Sequence, residues 1–153
     1  MTLDEWLNAY GESHQNATNI AIHKICVPAI MFTVLGMMWT IPVPGALATI
    51  PFANFATLTA VLSLLFYARL SLSMAAGMGL MAGLCLLALQ QMQLAGLPIL
   101  RISIAVFVIA WIGQFYGHKV EGKKPSFFRD LQFLLIGPAW TLSWLYRRFG
   151  IRY

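Results

Sequence analysis

The chain has 153 residues, 59% of them hydrophobic and 10% charged, with ten Lys or Arg against five Asp or Glu and a net charge of +5. A soluble domain carries about a quarter charged residues, so a water-exposed globule is excluded, and the 13% aromatic content excludes a disordered chain. What remains is a single integral membrane domain over residues 1–153, whose positive charge reads as topology and binding to membrane lipids, not as nucleic-acid recognition.

From the N-terminus, Leu3, Trp6 and Leu7 share a helical face, with Asp4, Glu5 and Asn8 between them. The pattern predicts a short amphipathic helix from Leu3 to Tyr10 at the membrane surface. No basic segment precedes it, so no cleaved signal peptide is expected. Crossing the hydrocarbon core takes about 17–25 apolar residues, and four runs approach that length, at 25–41, 50–68, 72–89 and 99–117. Pro42-Val43-Pro44-Gly45 separates the first two, and Gly96-Leu97-Pro98 precedes the fourth. Gly79 and Gly83 form a small-xxx-small pair on the third, read as helix packing. A fifth run, 131–146, is short and contains Gly137-Pro138, which predicts a re-entrant or interfacial helix. The expected fold is all-α, a membrane bundle of four transmembrane helices with these two flanking helices. With Lys24 in the cytoplasm, four spans bring Arg69, Lys119, Lys123, Lys124 and Arg129 to the same side. A dipping fifth segment keeps Arg147, Arg148 and Arg152 there, as the positive-inside rule requires, and only Arg101 falls opposite. No retention signal is visible, and the expected location is a bacterial inner membrane with this face toward the cytoplasm. Cys26 and Cys85 sit in apolar runs without a CxxC and read as small hydrophobes. Trp39, Trp111, Trp140 and Trp144 read as interface belt or core.

The three histidines fall in two polar segments. His14 and His23 lie between Tyr10 and Lys24, before the first span, and His118 lies at the exit of the fourth. The span parity puts both segments on one side of the membrane. At about 100° per residue, Gln114, His118 and Glu121 fall within about 60° of each other on one helix. Asn19 shares a face with His23, and Tyr10 with His14, whereas His14 and His23 are about half a turn out of phase. One metal bound by both requires a break between them, and residues 15–19 are suited to it because Asn and Thr compete for backbone hydrogen bonds. Ionisable groups at membrane depth point to function, and three neutral imidazoles suit Fe, Zn, Cu or Ni. Glu121 is a fourth ligand or an acceptor that orients an imidazole. Lys24 and Lys119 are headgroup charges or contacts to an acidic substrate. Five acidic residues are too few for a di-iron carboxylate bundle, and no nucleotide loop or Ser-His-Asp set is visible.

The pattern Tyr10-xxx-His14-x-Asn16-xx-Asn19-xxx-His23-xxxx-Pro28, followed by Gln114-xx-Gly117-His118-xx-Glu121-xxx-Pro125, resembles the Mpo1-like family of small membrane proteins, as does the tail from Asp130 to Pro138. The resemblance implies an Fe(II)-dependent dioxygenase that uses O₂ to remove the carboxyl carbon from 2-hydroxy long-chain fatty acids. It implies that His14, His23 and His118 are iron-site residues and, with Glu121, the catalytic set. Tyr10, Asn16, Asn19 and Gln114 are then candidates for substrate binding beside Lys24 and Lys119. Two readings from other classes compete: a His-ligated haem or quinone electron carrier, and a non-catalytic lipid-binding or assembly protein whose histidines cap helix ends.

Overall fold

The computed structural model describes residues 1–122 and 133–153. Among these the protein is all-helical, with α1 (Leu3–Gly11), α2 (Ala17–Trp39), α3 (Phe55–Leu70), α4 (Leu72–Leu94), α5 (Ile99–Glu121) and α6 (Ile136–Arg148), plus a short 3-10 turn at Gly45–Thr49. Lys123, Lys124, Pro125, Arg129, Asp130 and the first residues of the predicted 131–146 segment lie outside the described residues.

Helix bounds depart from the apolar runs for identifiable reasons. α2 begins at Ala17, well before the run that starts at Ile25, because backbone hydrogen bonding continues through polar Asn19, His23 and Lys24. α4 likewise runs on through Gln90, Gln91 and Gln93 to Leu94. α3 starts later than its apolar run. Pro51 lies in the preceding turn, and Asn54 caps the helix by accepting the Thr57 N–H at 3.0 Å. Only 16 residues result. Among the described residues three helices, α2, α4 and α5, are long and apolar enough to cross a membrane. Leu62 and Leu65 on α3, Leu80 and Leu84 on α4, and Ile109 and Ile112 on α5 stay exposed. A belt of that kind is unfavourable in water and suits hydrocarbon, as a membrane helical bundle requires.

α2 and α5 pack antiparallel, as three points of close approach show. Gly117 lies against Asn19, Gly113 against Cys26, and Ser103 against Gly36. The start of α2 and the end of α5 therefore share one end of the bundle. The small-xxx-small pair that lets these helices approach is Gly113 and Gly117. Gly79 meets only Leu64 at ordinary contact distance, and Gly83 faces open space.

α1 is amphipathic as expected, and Thr2 and Glu5 form a reciprocal capping box at its start. Its apolar face, however, does not lie on lipid. Leu3, Leu7 and Tyr10 are buried against Tyr67, Met74 and Met78 and against Ile136 and Trp140. The physical reason is that α4 and α6 present an apolar cleft at this end, and packing there removes the face from water and lipid alike. In α6, Gly137-Pro138 occupies the first turn, where a missing N–H leaves no helical bond unmade. The breaker signal marks where the helix starts.

Candidate metal centre

Gly11 ends α1, and residues 12–16 turn the chain before Asn16 caps α2 by accepting the Thr18 N–H at 2.9 Å. The phase of the two N-terminal histidines requires such a break, but it falls earlier than the expected 15–19: Ala17, Thr18 and Asn19 are already helical, because the Asn16 side chain caps α2 and starts it at Ala17. His14 leaves the turn with its ring stacked on Tyr10, centroids 4.3 Å apart and 10° from parallel. Its Nδ1–H donates to the Tyr10 carbonyl at 2.7 Å. His23, on α2, repeats the device with the Asn19 carbonyl at 3.0 Å. A carbonyl oxygen only accepts, so in both residues Nδ1 carries a proton, which leaves Nε2 as the nitrogen that can offer a lone pair to a metal. Backbone-anchored Nδ1–H with a basic Nε2 is the arrangement that orients metal-binding imidazoles.

His118 enters from the end of α5. The three rings meet edge to face, with centroids 4.3 Å apart for His14 and His23, 4.8 Å for His23 and His118, and 5.4 Å for His14 and His118. All three are at least 95% buried, and one ligand atom from each lies within 4.8 Å of the others. Three buried nitrogen donors of borderline softness within this distance suit a divalent first-row metal. The residues fit an iron ion by donor type.

Glu121 lies one turn beyond His118 but is not in this group. Its carboxylate accepts the Gln15 N–H at 2.9 Å, the Asn16 N–H at 2.8 Å and the Asn19 side-chain amide at 3.0 Å. Asn19 is fully buried and also donates to the Ser13 carbonyl at 3.1 Å. The end of α5 is thus tied to the turn that carries His14 and to the residue whose carbonyl holds His23. Gly117 makes this possible, since a Cβ there would collide with Asn19 Oδ1 and lie 3.3 Å from His23 Cε1.

Tyr10, stacked on His14, and Gln114, buried one turn before His118 on α5, also line a cavity of about 110 Å³ that runs between α2, α3 and α4. α2 contributes Val27, Ile30, Met31, Val34 and Leu35, a stripe at helical spacing. A buried metal-capable cluster therefore borders a long apolar space.

A family model described as "2-hydroxy-palmitic acid dioxygenase Mpo1-like" matches residues 1–149. The chain belongs to the Mpo1-like family. It is 33% identical over 149 residues to the 2-hydroxy-palmitic acid dioxygenase MPO1 of Saccharomyces cerevisiae, covering 93% of this chain and 78% of that protein. No solved structure matches the chain. Membership at this identity supports an oxidoreductase of the 2-hydroxy fatty acid dioxygenase type.

Set against this Mpo1-like geometry, the residues picked out from sequence separate into groups. His14, His23 and His118 converge, Tyr10 and Gln114 border both triad and cavity, and Asn19 and Glu121 form the clamp. Asn16 is a helix cap on the surface, Lys119 is exposed, and Lys24 lays its ammonium 3.7 Å from the centre of the Trp144 ring. Trp140, read from sequence as belt or core, packs 5.2 Å from His14 and 5.4 Å from Tyr10. Its signal was faint: a tryptophan one turn into a helix that begins at Gly137-Pro138. Gly117 had a clearer one, a glycine next to a motif histidine and four residues after Gly113.

Proposed function

We propose that this chain is an Fe(II)-dependent dioxygenase that oxidatively decarboxylates 2-hydroxy long-chain fatty acids to acids one carbon shorter. The single observation that carries the reading is three buried imidazoles, brought from distant segments to within 4.8 Å, at the head of an apolar cavity. The name of the yeast relative supplies the substrate class. The reaction balances as R–CH(OH)–COOH + O₂ → R–COOH + CO₂ + H₂O, in which the Cα–carboxyl bond breaks and Cα becomes the new carboxyl carbon. His14, His23 and His118 would hold the iron, which supplies Lewis acidity and redox activation of O₂ beside that bond. Tyr10 and Gln114 stand where the polar head passes into the cavity, and the Gln114 amide both donates to a carboxylate and accepts from a 2-hydroxyl. Asn19 and Glu121 keep two of the histidine-bearing segments in register. Burial excludes water from the reacting carbon.

In this reading α2 to α5 are four spans. α3 covers about 24 Å of a core about 30 Å thick, and the turn before it completes the crossing. Lys24, Arg69, Lys119, Arg147 and Arg148 all lie toward the triad end, and by the positive-inside rule this supports a site that faces the cytoplasm, in our reading from a bacterial inner membrane. Lys24 and Lys119 then attract the acid's carboxylate to the membrane face.

Purified protein is expected to hold about one iron per chain and to consume 2-hydroxypalmitate and O₂ while releasing the fifteen-carbon acid. His118→Ala, folded by its helical spectrum, is expected to lose both metal and turnover. Undiminished turnover in that variant, or a haem Soret band in the wild type, overturns the assignment.

A further inference from the structure

The apolar cavity has two ends of different character. Its head is bounded by Tyr10 and Gln114 beside the histidines, and its far end by Leu35, Ala60 and Ala82. The chain directions establish that order: α2 and α4 run away from the triad end and α3 returns toward it, so Leu35, Ala82 and the early α3 positions Thr59 and Ala60 lie deepest, and of these Leu35, Ala60 and Ala82 are buried in the core. Beyond them the interior is filled, because Trp39, Ala56 and Leu89 are buried in one cluster with these three. Two of the buried floor residues are alanines, so the depth of the space depends on two short side chains.

We infer that this cavity is the acyl channel and that Leu35, Ala60 and Ala82 are specificity-determining residues that set the longest tail the protein accepts. The inference rests on the proposed function and adds a length to it. From His23 to Leu35 the helix rises about 18 Å at about 1.5 Å per residue. Carbon–carbon bonds of about 1.52 Å at about 111° advance an extended tail about 1.25 Å per carbon, so the distance from triad to floor equals about fourteen carbons; at about 110 Å³ the space widens to admit a full tail. Fourteen carbons follow Cα in a sixteen-carbon 2-hydroxy acid. A longer tail meets Leu35 and the packed cluster behind it. The channel wall carries no charged side chain, and the Thr59 and Ser63 hydroxyls that α3 adds to it are bonded to their own helix carbonyls, so it discriminates by length.

The test is a chain-length series of 2-hydroxy acids from ten to twenty carbons, assayed by kcat/KM on wild type, Ala60→Leu and Ala82→Leu. Each leucine occupies the depth of about two carbons, and each carbon denied burial costs about fourfold in binding, so the twelve-to-sixteen-carbon preference is expected to rise about fifteenfold. Because this burial is the same in ground and transition states, the change is expected in KM and not in kcat. Leu35→Ala is expected to shift the optimum to longer acids. A wild-type length profile in active Ala60→Leu and Ala82→Leu overturns the channel while leaving the proposed reaction standing. No turnover of any 2-hydroxy acid by the wild type overturns the reaction and the channel with it. A readout independent of variant folding is photo-crosslinking of the wild type by a sixteen-carbon 2-hydroxy acid with a terminal diazirine. Label on peptides carrying Leu35, Ala60 or Ala82 supports the channel, and label confined to outward-facing Leu62, Leu84 or Ile109 refutes it.

Discussion

Adding one methyl group at Gly117 tests whether the clamp positions the histidines. Two effects of opposite sign compete. In a helix interior Gly→Ala is worth about 0.8–1 kcal/mol in favour of alanine. At Gly117, however, the new Cβ would occupy the position of Asn19 Oδ1 and press on His23 Cε1. Asn19 has no easy retreat, being fully buried and held through its amide by the Ser13 carbonyl and Glu121. Overpacking of this kind costs about 1–3 kcal/mol, and rotating Asn19 away gives up two hydrogen bonds worth about 1 kcal/mol each. The steric cost wins, for a net loss of about 1–2 kcal/mol. Gly83→Ala is the matched control, because nothing lies within 4 Å of a Cβ there. It keeps the propensity gain and carries no clash. For a chain of this size about 3 °C accompanies each kcal/mol, so melting curves in detergent are expected to separate the two variants by about 5–10 °C. Displacing His23 by even an ångström is also expected to lower turnover about a hundredfold. If Gly117→Ala melts with Gly83→Ala and binds iron as the wild type does, the close approach of α5 to α2 does not hold the site together.

Glu121→Gln turns an N–H donor toward the donors of Gln15, Asn16 and Asn19, and Glu121→Ala removes the acceptor altogether. Both are expected to weaken metal affinity about 10–100-fold, as measured by competitive metal titration with unchanged stoichiometry; unaltered affinity in Glu121→Ala would mean that the carboxylate orients nothing. Loading with Fe(II) at about a hundred times Kd is expected to stabilise the wild type by about 2.7 kcal/mol. That shift should vanish on chelation and in a triple His14, His23, His118→Ala variant, and a shift surviving in the triple variant would place the metal elsewhere. Trp140→Ala removes a ring packed on both Tyr10 and His14 and is expected to cost about 3–5 kcal/mol of stability. A smaller loss in the melting curve would count against Trp140 as part of the triad's support.

Much of this arrangement is legible in the sequence. The apolar runs marked the helical hairpins because membrane spans need uninterrupted hydrophobicity, and their starts at Leu72 and Ile99 agree with the helices because Ser71 and Pro98 are strong N-terminal signals. The ends did not agree. Hydropathy falls where Asn19, His23 or Gln91 appears, whereas a helix continues as long as its backbone bonds are made. The 3.6-residue period placed Gln114, His118 and Glu121 on one stripe, and it required the break between His14 and His23 that residues 12–16 provide. It could not assign roles along the stripe. Glu121 looked equally suited to binding metal and to orienting an imidazole. Its three N–H donors come from the turn before α2 and from the first turn of α2, more than a hundred residues away.

By itself, then, the sequence determined the solvent in which this protein folds, the number of apolar runs and the identity of the three imidazoles, because composition and periodicity are local properties. The tertiary structure decided which glycine pair brings helices together, which face of α1 is covered and where the apolar space next to the triad ends. Those depend on which side chains meet across helices. Gly117 and Gly83 are alike in sequence, and only the neighbour across the interface, Asn19 for one and open space for the other, makes one of them part of the site.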